Sequence, residues 1–339
     1  MGILTARGSI DISQFWPQGT SDADTANIYV DVAQGGVFYT APGKAERDVT
    51  NLYKSAVSAQ KKTTTDLSKE TLIKQGKIKV RLQGIDAPEL HYKPQSDPRT
   101  AEKLGVKGAK LGGAGVVKDY RQHQAETSAV SVGRFLATID ASAVPCEFVS
   151  NVDDSEGPSA VVDKYGRFVG DIIVDGNVNL NHWILEKGWA VVSLYNSMTE
   201  AELDGYISHW RKGRNKGSSR HYADRVIAFK PGLLLRHHAT PVSEGDARFL
   251  HPKLYRRQTT WWAYKQVAPV KLSFPKSIAA TGGNLFEIAD FRENGRYAQA
   301  HPLAAMLAGS QMALNPEEFV LREDAGDIFD LNRDKITSW

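Results

Sequence analysis

The chain has 339 residues, enough for one large domain or two ordinary ones, and its 41% hydrophobic and 24% charged content is that of a soluble globular protein. A net charge of +3 is too small to imply a polyanionic partner by itself, so any electrostatic case must rest on local clustering. The single cysteine, Cys146, excludes an intrachain disulfide framework and a cysteine-rich zinc module; following Val144 and Pro145, it reads as a buried strand cysteine.

Residues 1–18 read as an N-terminal extension without the long apolar run of a secretory signal, which favours a cytoplasmic protein over a mature secreted form. No apolar run is long enough to cross a bilayer, so no membrane partner is expected. Residues 22–25, DADT, form a turn ahead of a strand over 26–32, whose Ile28, Val30 and Val32 alternate. Asp22 and Asp24 either support an Asx-type turn or face a cation at the strand's start. Glycine and proline then punctuate 35–43 around a short strand at 37–39. Val49, Leu52, Tyr53, Ala56 and Val57 recur at helical spacing, with Lys54, Gln60, Lys61 and Lys62 among the polar positions. Asp66 then caps a second short helix through Leu67, Leu72 and Ile73.

The most informative stretch is 80–89, VRLQGIDAPE. Val80 and Leu82 alternate with Arg81 and Gln83 as in a half-buried strand, Gly84 marks a bend, and Pro88 belongs to a turn. A guanidinium (Arg81) and two carboxylates (Asp86 and Glu89) therefore lie within one strand and its exit turn, where they can converge on a phosphate, the carboxylates taking a hard cation and a water.

Residues 91–100 are polar and 105–115 glycine-rich, a long loop region whose Lys103, Lys107, Lys110 and Lys118 either meet a phosphate backbone or form a solvated face. A helix over 120–137 turns Ala125, Ala129, Val132 and Leu136 inward. A strand over 143–149, a turn over 151–158, the DKYGR stretch at 163–167 and a strand over 168–174 follow. Next come a short helix over 179–187 closed by Gly188, a strand over 189–194, and a helix started by the Thr199/Glu202 capping box that runs through Trp210. Arg211, Lys212, Arg214, Lys216, Arg220 and Arg225, interrupted by glycines and joined by His209 and His221, form either a polyanion-following surface or a solvated helix-to-loop face. His237 and His238 read as structural rather than zinc ligands, and Trp261 and Trp262 as core rather than a base-stacking platform. From residue 231 onward the aromatic content is enough for an accessory domain.

DADT, VRLQGIDAPE and DKYGR, in that order, resemble the staphylococcal-nuclease-like (thermonuclease) family. The resemblance spans 19–230 and implies an OB-like five-stranded β-barrel with helices (α+β); this chain departs from it by a helical insertion at about 41–76, which either braces the barrel or covers one rim of the substrate cleft. Residues 231–339 would be a separate or packed C-terminal α/β extension. It also implies Ca2+, or another divalent cation, held by Asp24, Asp86 and the Ala87 carbonyl; catalysis by Arg81, Glu89 and Arg167; and nucleic-acid binding by Lys164, Tyr165 and Tyr195. Ala23 stands where the family has glycine, and Ser193 where it has the first tyrosine of a stacking pair. The basic residues Arg211, Lys212, Arg214, Lys216 and Arg220 add a second nucleic-acid surface. The expected activity is metal-dependent hydrolysis of DNA and/or RNA at single-stranded or accessible sites with low sequence specificity. The alternative is a non-catalytic nucleic-acid-binding scaffold on the same barrel.

Overall fold

The computed structural model describes residues 2–31, 36–53, 71–112, 119–152, 161–222, 235–237, 248–309, 311–322, 326–330, 332 and 334–337. Contacts divide the chain into two compact units. One comprises Met1–Gln83, Ser131–Trp183 and Glu323–Trp339, and the other Gly84–Val130 and Ile184–Arg322. The sequence boundaries at 19 and 231 mark the extent of the family resemblance, whereas these units follow spatial contacts.

The first unit holds a closed five-strand barrel of β1 (Gly2–Asp11), β2 (Thr25–Val30), β3 (Lys77–Leu82), β4 (Ala143–Val152) and β5 (Phe168–Val174), in the order β2-β3-β5-β4-β1 with β1 returning to β2. Four pairings are antiparallel, and β3 runs parallel to β5 with Arg81 opposite Val169. The expected β-barrel is therefore present. Residues 2–11, read from the sequence as part of an extension, supply its longest ladder, running from Gly2 opposite Val152 to Asp11 opposite Ala143. Closure needs β1 to serve β4 along its length and also β2 through Gly8, Ser9 and Ile10. Gly8 permits that close approach, since a Cβ there would lie 2.1 Å from the Tyr29 carbonyl oxygen. Period-two alternation puts Leu4, Ile10, Ile28, Ile78, Val80, Val144, Phe148, Phe168 and Ile172 in the core.

The short strands Val37–Thr40 and Arg47–Asp48 extend this sheet from β1. The helix expected from Val49 onward is not formed in its described part. Val49 donates its N–H to the Val37 carbonyl, and Tyr53 bridges Thr71 and Phe329. The buried side chains of Val49 and Leu52 thus gain their burial from sheet-like pairing, which overrides helical spacing. Residues 54–70, with the rest of the first expected helix and the start of the second, lie outside the described residues, as do Lys118, residues 153–158 of the turn expected over 151–158, Arg225 and His238. Leu72 and Ile73 of the second expected helix are not helical, and Leu72 N–H donates to the Leu52 carbonyl.

In chain order the longer helices are α1 (Pro98–Lys103), α2 (Ala125–Ala137), α3 (Leu180–Glu186), α4 (Glu200–Gly213), α5 (Pro252–Val267), α6 (Phe274–Thr281) and α7 (Ile288–Asn294). α1 forms inside the region read as loop, because Asp97 caps its start and Pro98 occupies its first turn. α2 begins five residues later than expected. Gln124 has φ +65°, and Tyr120 instead bridges Tyr92 and His237. The expected strand over 189–194 is divided into Val191–Val192 and Leu194–Tyr195.

In the second unit α4 starts at the predicted capping box: Thr199 Oγ1 accepts from Glu202 N–H at 3.3 Å, and Glu202 Oε2 accepts from Thr199 N–H at 2.8 Å. Its core gathers Leu254, Tyr255 and Tyr264 of α5 with Ala101, Leu104, Tyr120, Phe274, Leu303 and Phe319. Trp261 is buried, with its indole N–H bonded to the Leu272 carbonyl at 3.0 Å, as a core tryptophan. Leu194–Tyr195, Phe319–Leu321, Asn284–Glu287 and Ala300–Pro302 form a four-strand sheet, so the C-terminal region carries the expected mixture of strands and helices. Ile85–Asp86 pairs antiparallel with Val191–Val192. Gly84 precedes it at φ +71°, where a Cβ would lie 2.4 Å from the Tyr206 ring.

Candidate active site

At one end of the barrel three of the sequence stretches meet. Thr25 begins β2 opposite Arg81 on β3, which sets Asp24 at the edge of that pair. Asp24 is buried, and its Oδ2 lies 2.7 Å from Arg81 Nη1. Its Oδ1 accepts from Thr25 Oγ1 at 3.2 Å, and Thr25 Oγ1 in turn accepts from Arg167 Nη1 at 3.3 Å. Arg167 leaves a tight turn that Asp163 organises. One Asp163 oxygen accepts from the N–H groups of Tyr165 and Arg167 at 2.9 and 3.0 Å, and the other takes Arg167 Nε and Nη2 at 2.7 Å each. A continuous polar chain, Arg81–Asp24–Thr25–Arg167–Asp163, therefore brings both predicted arginines to one barrel end. Tyr165 is 67% exposed beside them, with Lys164 Nζ and Arg167 Cζ 5.4 and 5.5 Å from its ring centre.

In the second unit Asp86 is fully buried opposite Val191, and Glu89 is held by Gln122. The Gln122 side chain accepts from Glu89 N–H at 3.0 Å, while Gln122 N–H donates to the Glu89 carbonyl at 2.7 Å. Arg256 of α5 meets both carboxylates, its Nη1 on Glu89 Oε1 and its Nη2 3.4 Å from Asp86 Oδ2. His251, the N-cap of α5, places Nδ1 4.0 Å from Asp86 Oδ2 and accepts from Lys253 N–H at 3.2 Å. Burial, with help from the Glu89 charge, pushes the Tyr255 phenol well up; burial also raises Tyr92, whose hydroxyl lies 3.0 Å from Thr260 Oγ1. Arg256 and His251 were invisible to motif reading. The only local signal was the His-Pro start of a helix at residues 251 and 252, which marks a cap and not a charge partner.

Ala87 is buried. Tyr195 is half-buried on its short strand, with Lys253 Nζ 5.8 Å from the ring centre, and Ser193 is fully buried, so that position offers no exposed ring. The basic stretch is partly neutralised: Arg211 and Arg214 lie 3.5 and 3.4 Å from Glu317, and Lys212 lies 3.0 Å from Glu186. Lys216 and Arg220 are exposed.

Carboxylate oxygens have the hard chemistry that Ca2+ prefers. Here, however, Asp24 holds Arg81 while Asp86 and Glu89 hold Arg256, and no group of three or more His, Cys, Asp or Glu suited to a metal ion occurs among the described residues. As arranged, these carboxylates do not fit an added cation.

The barrel is closed and OB-like, and Arg81 and Arg167 are drawn together at one of its ends. Residues 79–217 match the family described as Staphylococcal nuclease homologue, and this part of the chain is a domain of that family. Such a domain points to nuclease-type binding or hydrolysis of nucleic acid. The match takes in Arg81, Asp86, Glu89, Lys164, Tyr165, Arg167 and Tyr195 and begins after Asp24; Arg256 lies beyond it. A comparison with curated proteins found no match.

Proposed function

We propose that the protein hydrolyses phosphodiester bonds of DNA, RNA or both, with low base specificity and a preference for single-stranded or accessible sites. The observation that carries this reading is the Arg81–Asp24–Thr25–Arg167 chain, because it points two permanently charged guanidinium groups at one barrel end. Hydrolysis needs water attacking phosphorus, donors on the non-bridging oxygens as negative charge grows there, and a proton for the departing oxygen. Arg81 and Arg167 supply the donors, Glu89 receives the proton of the attacking water, and the departing oxygen takes its proton from solvent water. Lys164 and Tyr165 engage the adjoining phosphate and sugar, and Lys216 and Arg220 add sequence-independent attraction. The family resemblance implies calcium held by Asp24, Asp86 and the Ala87 carbonyl; with Asp24 on Arg81 and Asp86 on Arg256, that set takes a cation only if the arginines give way.

The second reading, a nucleic-acid-binding scaffold without turnover, is favoured by the pairing of Asp86 and Glu89 with Arg256 and by the buried Ser193. Glu89→Gln separates the two. For a nuclease it keeps oligonucleotide affinity and lowers the cleavage rate by about 10²-fold or more. Unchanged cleavage by folded E89Q removes Glu89 from the reaction.

A further inference from the structure

Two carboxylates three residues apart, Asp86 and Glu89, have side chains only 0% and 10% exposed. Sinking two negative charges in so little water is costly unless a cation answers them. Arg256 does so with a separate nitrogen for each carboxylate, the geometry for which a planar guanidinium is suited. Its backbone is fixed by its place on α5, between the fully buried Tyr255 and residues Thr259, Ala263 and Tyr264 of the same packed helix. Its own side chain is 31% exposed, so the guanidinium can swing outward without the helix moving.

We infer that Arg256 is the resident cation of the Asp86–Glu89 pair, and that a divalent metal ion takes these carboxylates only by displacing its guanidinium. A Ca2+ ion requires carboxylate oxygens at about 2.3–2.6 Å, and Arg256 holds one oxygen of each carboxylate, Asp86 Oδ2 and Glu89 Oε1, with a positive charge that repels a second cation beside it. Arg256 therefore sets the concentration at which a divalent ion loads. The inference rests on the assignment of Asp86 and Glu89 to the proposed reaction, and it adds a competitor from outside the family-matched segment.

The test is a calorimetric titration of the full chain with CaCl2, repeated with Tb3+ luminescence, for the unsubstituted protein, Arg256→Gln and Arg256→Gln with Glu89→Gln, each checked for folding by circular dichroism. Competition predicts at least about tenfold tighter binding by R256Q and loss of that gain in the double variant. Equal or weaker binding by folded R256Q, or binding by none of the chains, overturns the inference. Should R256Q not fold, the Arg256 Nε–H resonance of the unsubstituted protein, assigned by its loss in Arg256→Lys, is followed by NMR. Displacement moves it as Ca2+ is added, and an unmoved signal at saturating Ca2+ contradicts displacement. Oligonucleotide cleavage is measured separately: tighter binding with no cleavage in any divalent ion sinks only the nuclease reading, whereas cleavage with unchanged ion affinity sinks only the competition.

Discussion

Arg81 and Asp24 are joined at 2.7 Å with side chains 11% and 4% exposed, whereas Arg167 is tied to an Asp163 that also accepts two backbone N–H groups. The two arginines share one barrel end, but their removal has different consequences for stability. R81A strands a buried carboxylate and should cost about 3–5 kcal/mol. R167A takes Arg167 Nε and Nη2 from one Asp163 oxygen but leaves two backbone N–H groups on the other, and should cost less, about 1–3 kcal/mol. Urea unfolding checks both values. The double variant R81A/D24A should recover about 1–3 kcal/mol relative to additivity; strict additivity would show that the pair is not coupled. Turnover of R167A is therefore the cleaner catalytic reading, because its fold is less disturbed.

In the basic stretch, Lys216 and Arg220 should dominate electrostatic binding, since Arg211, Lys212 and Arg214 are shared with Glu317 and Glu186. For a single-stranded oligonucleotide, K216A/R220A should reduce the slope of log affinity against log salt by about 1.4. Glu317→Gln should raise affinity at low salt by releasing two arginines. Fluorescence anisotropy across a KCl series measures both effects, and an unchanged slope removes this surface from the interface.

His123 is held down to about 4 by burial, then by neighbouring His221, Arg236 and Arg248, with Glu126 pulling the other way. The folded protein thus keeps this ring neutral below the pH at which the unfolded chain protonates it. Stability should be fully present above about pH 6.5 and fall by roughly 2–3 kcal/mol toward pH 4. His123→Gln should flatten that limb of the stability curve. An identical acid limb in the variant would assign the loss to other groups.

Burial pushes the Cys146 thiol up to about 12 on β4. Iodoacetamide at pH 8 should leave the native protein unlabelled and modify one site after unfolding, as mass spectrometry would show. Rapid stoichiometric labelling of the native chain would contradict its buried position.

Much of the barrel was legible because its strands alternate cleanly: 168–174 runs as expected, and 80–82 falls within β3. β1 was not, since Arg7, Gly8 and Ser9 break the apolar pattern where one strand must serve two neighbours. Val49, Leu52 and Tyr53 misled because three apolar residues at helical spacing can equally be buried by long-range bridges, here to Val37 and Phe329. Asp24, Arg81 and Arg167 were legible as motif residues, and the structure joins them through Thr25. Arg256 was not, because an arginine 167 residues from Glu89 leaves no local trace of its partner.

The most direct test is incubation of supercoiled plasmid and an end-labelled single-stranded oligonucleotide with the full chain and Ca2+, beside a chelator control and R167A. The account predicts cleavage of both substrates, with the oligonucleotide cut faster, lost on chelation and lowered about 10²-fold or more in folded R167A. Intact substrates in every divalent ion, despite tight binding, would contradict hydrolysis and leave the barrel as a nucleic-acid-binding scaffold.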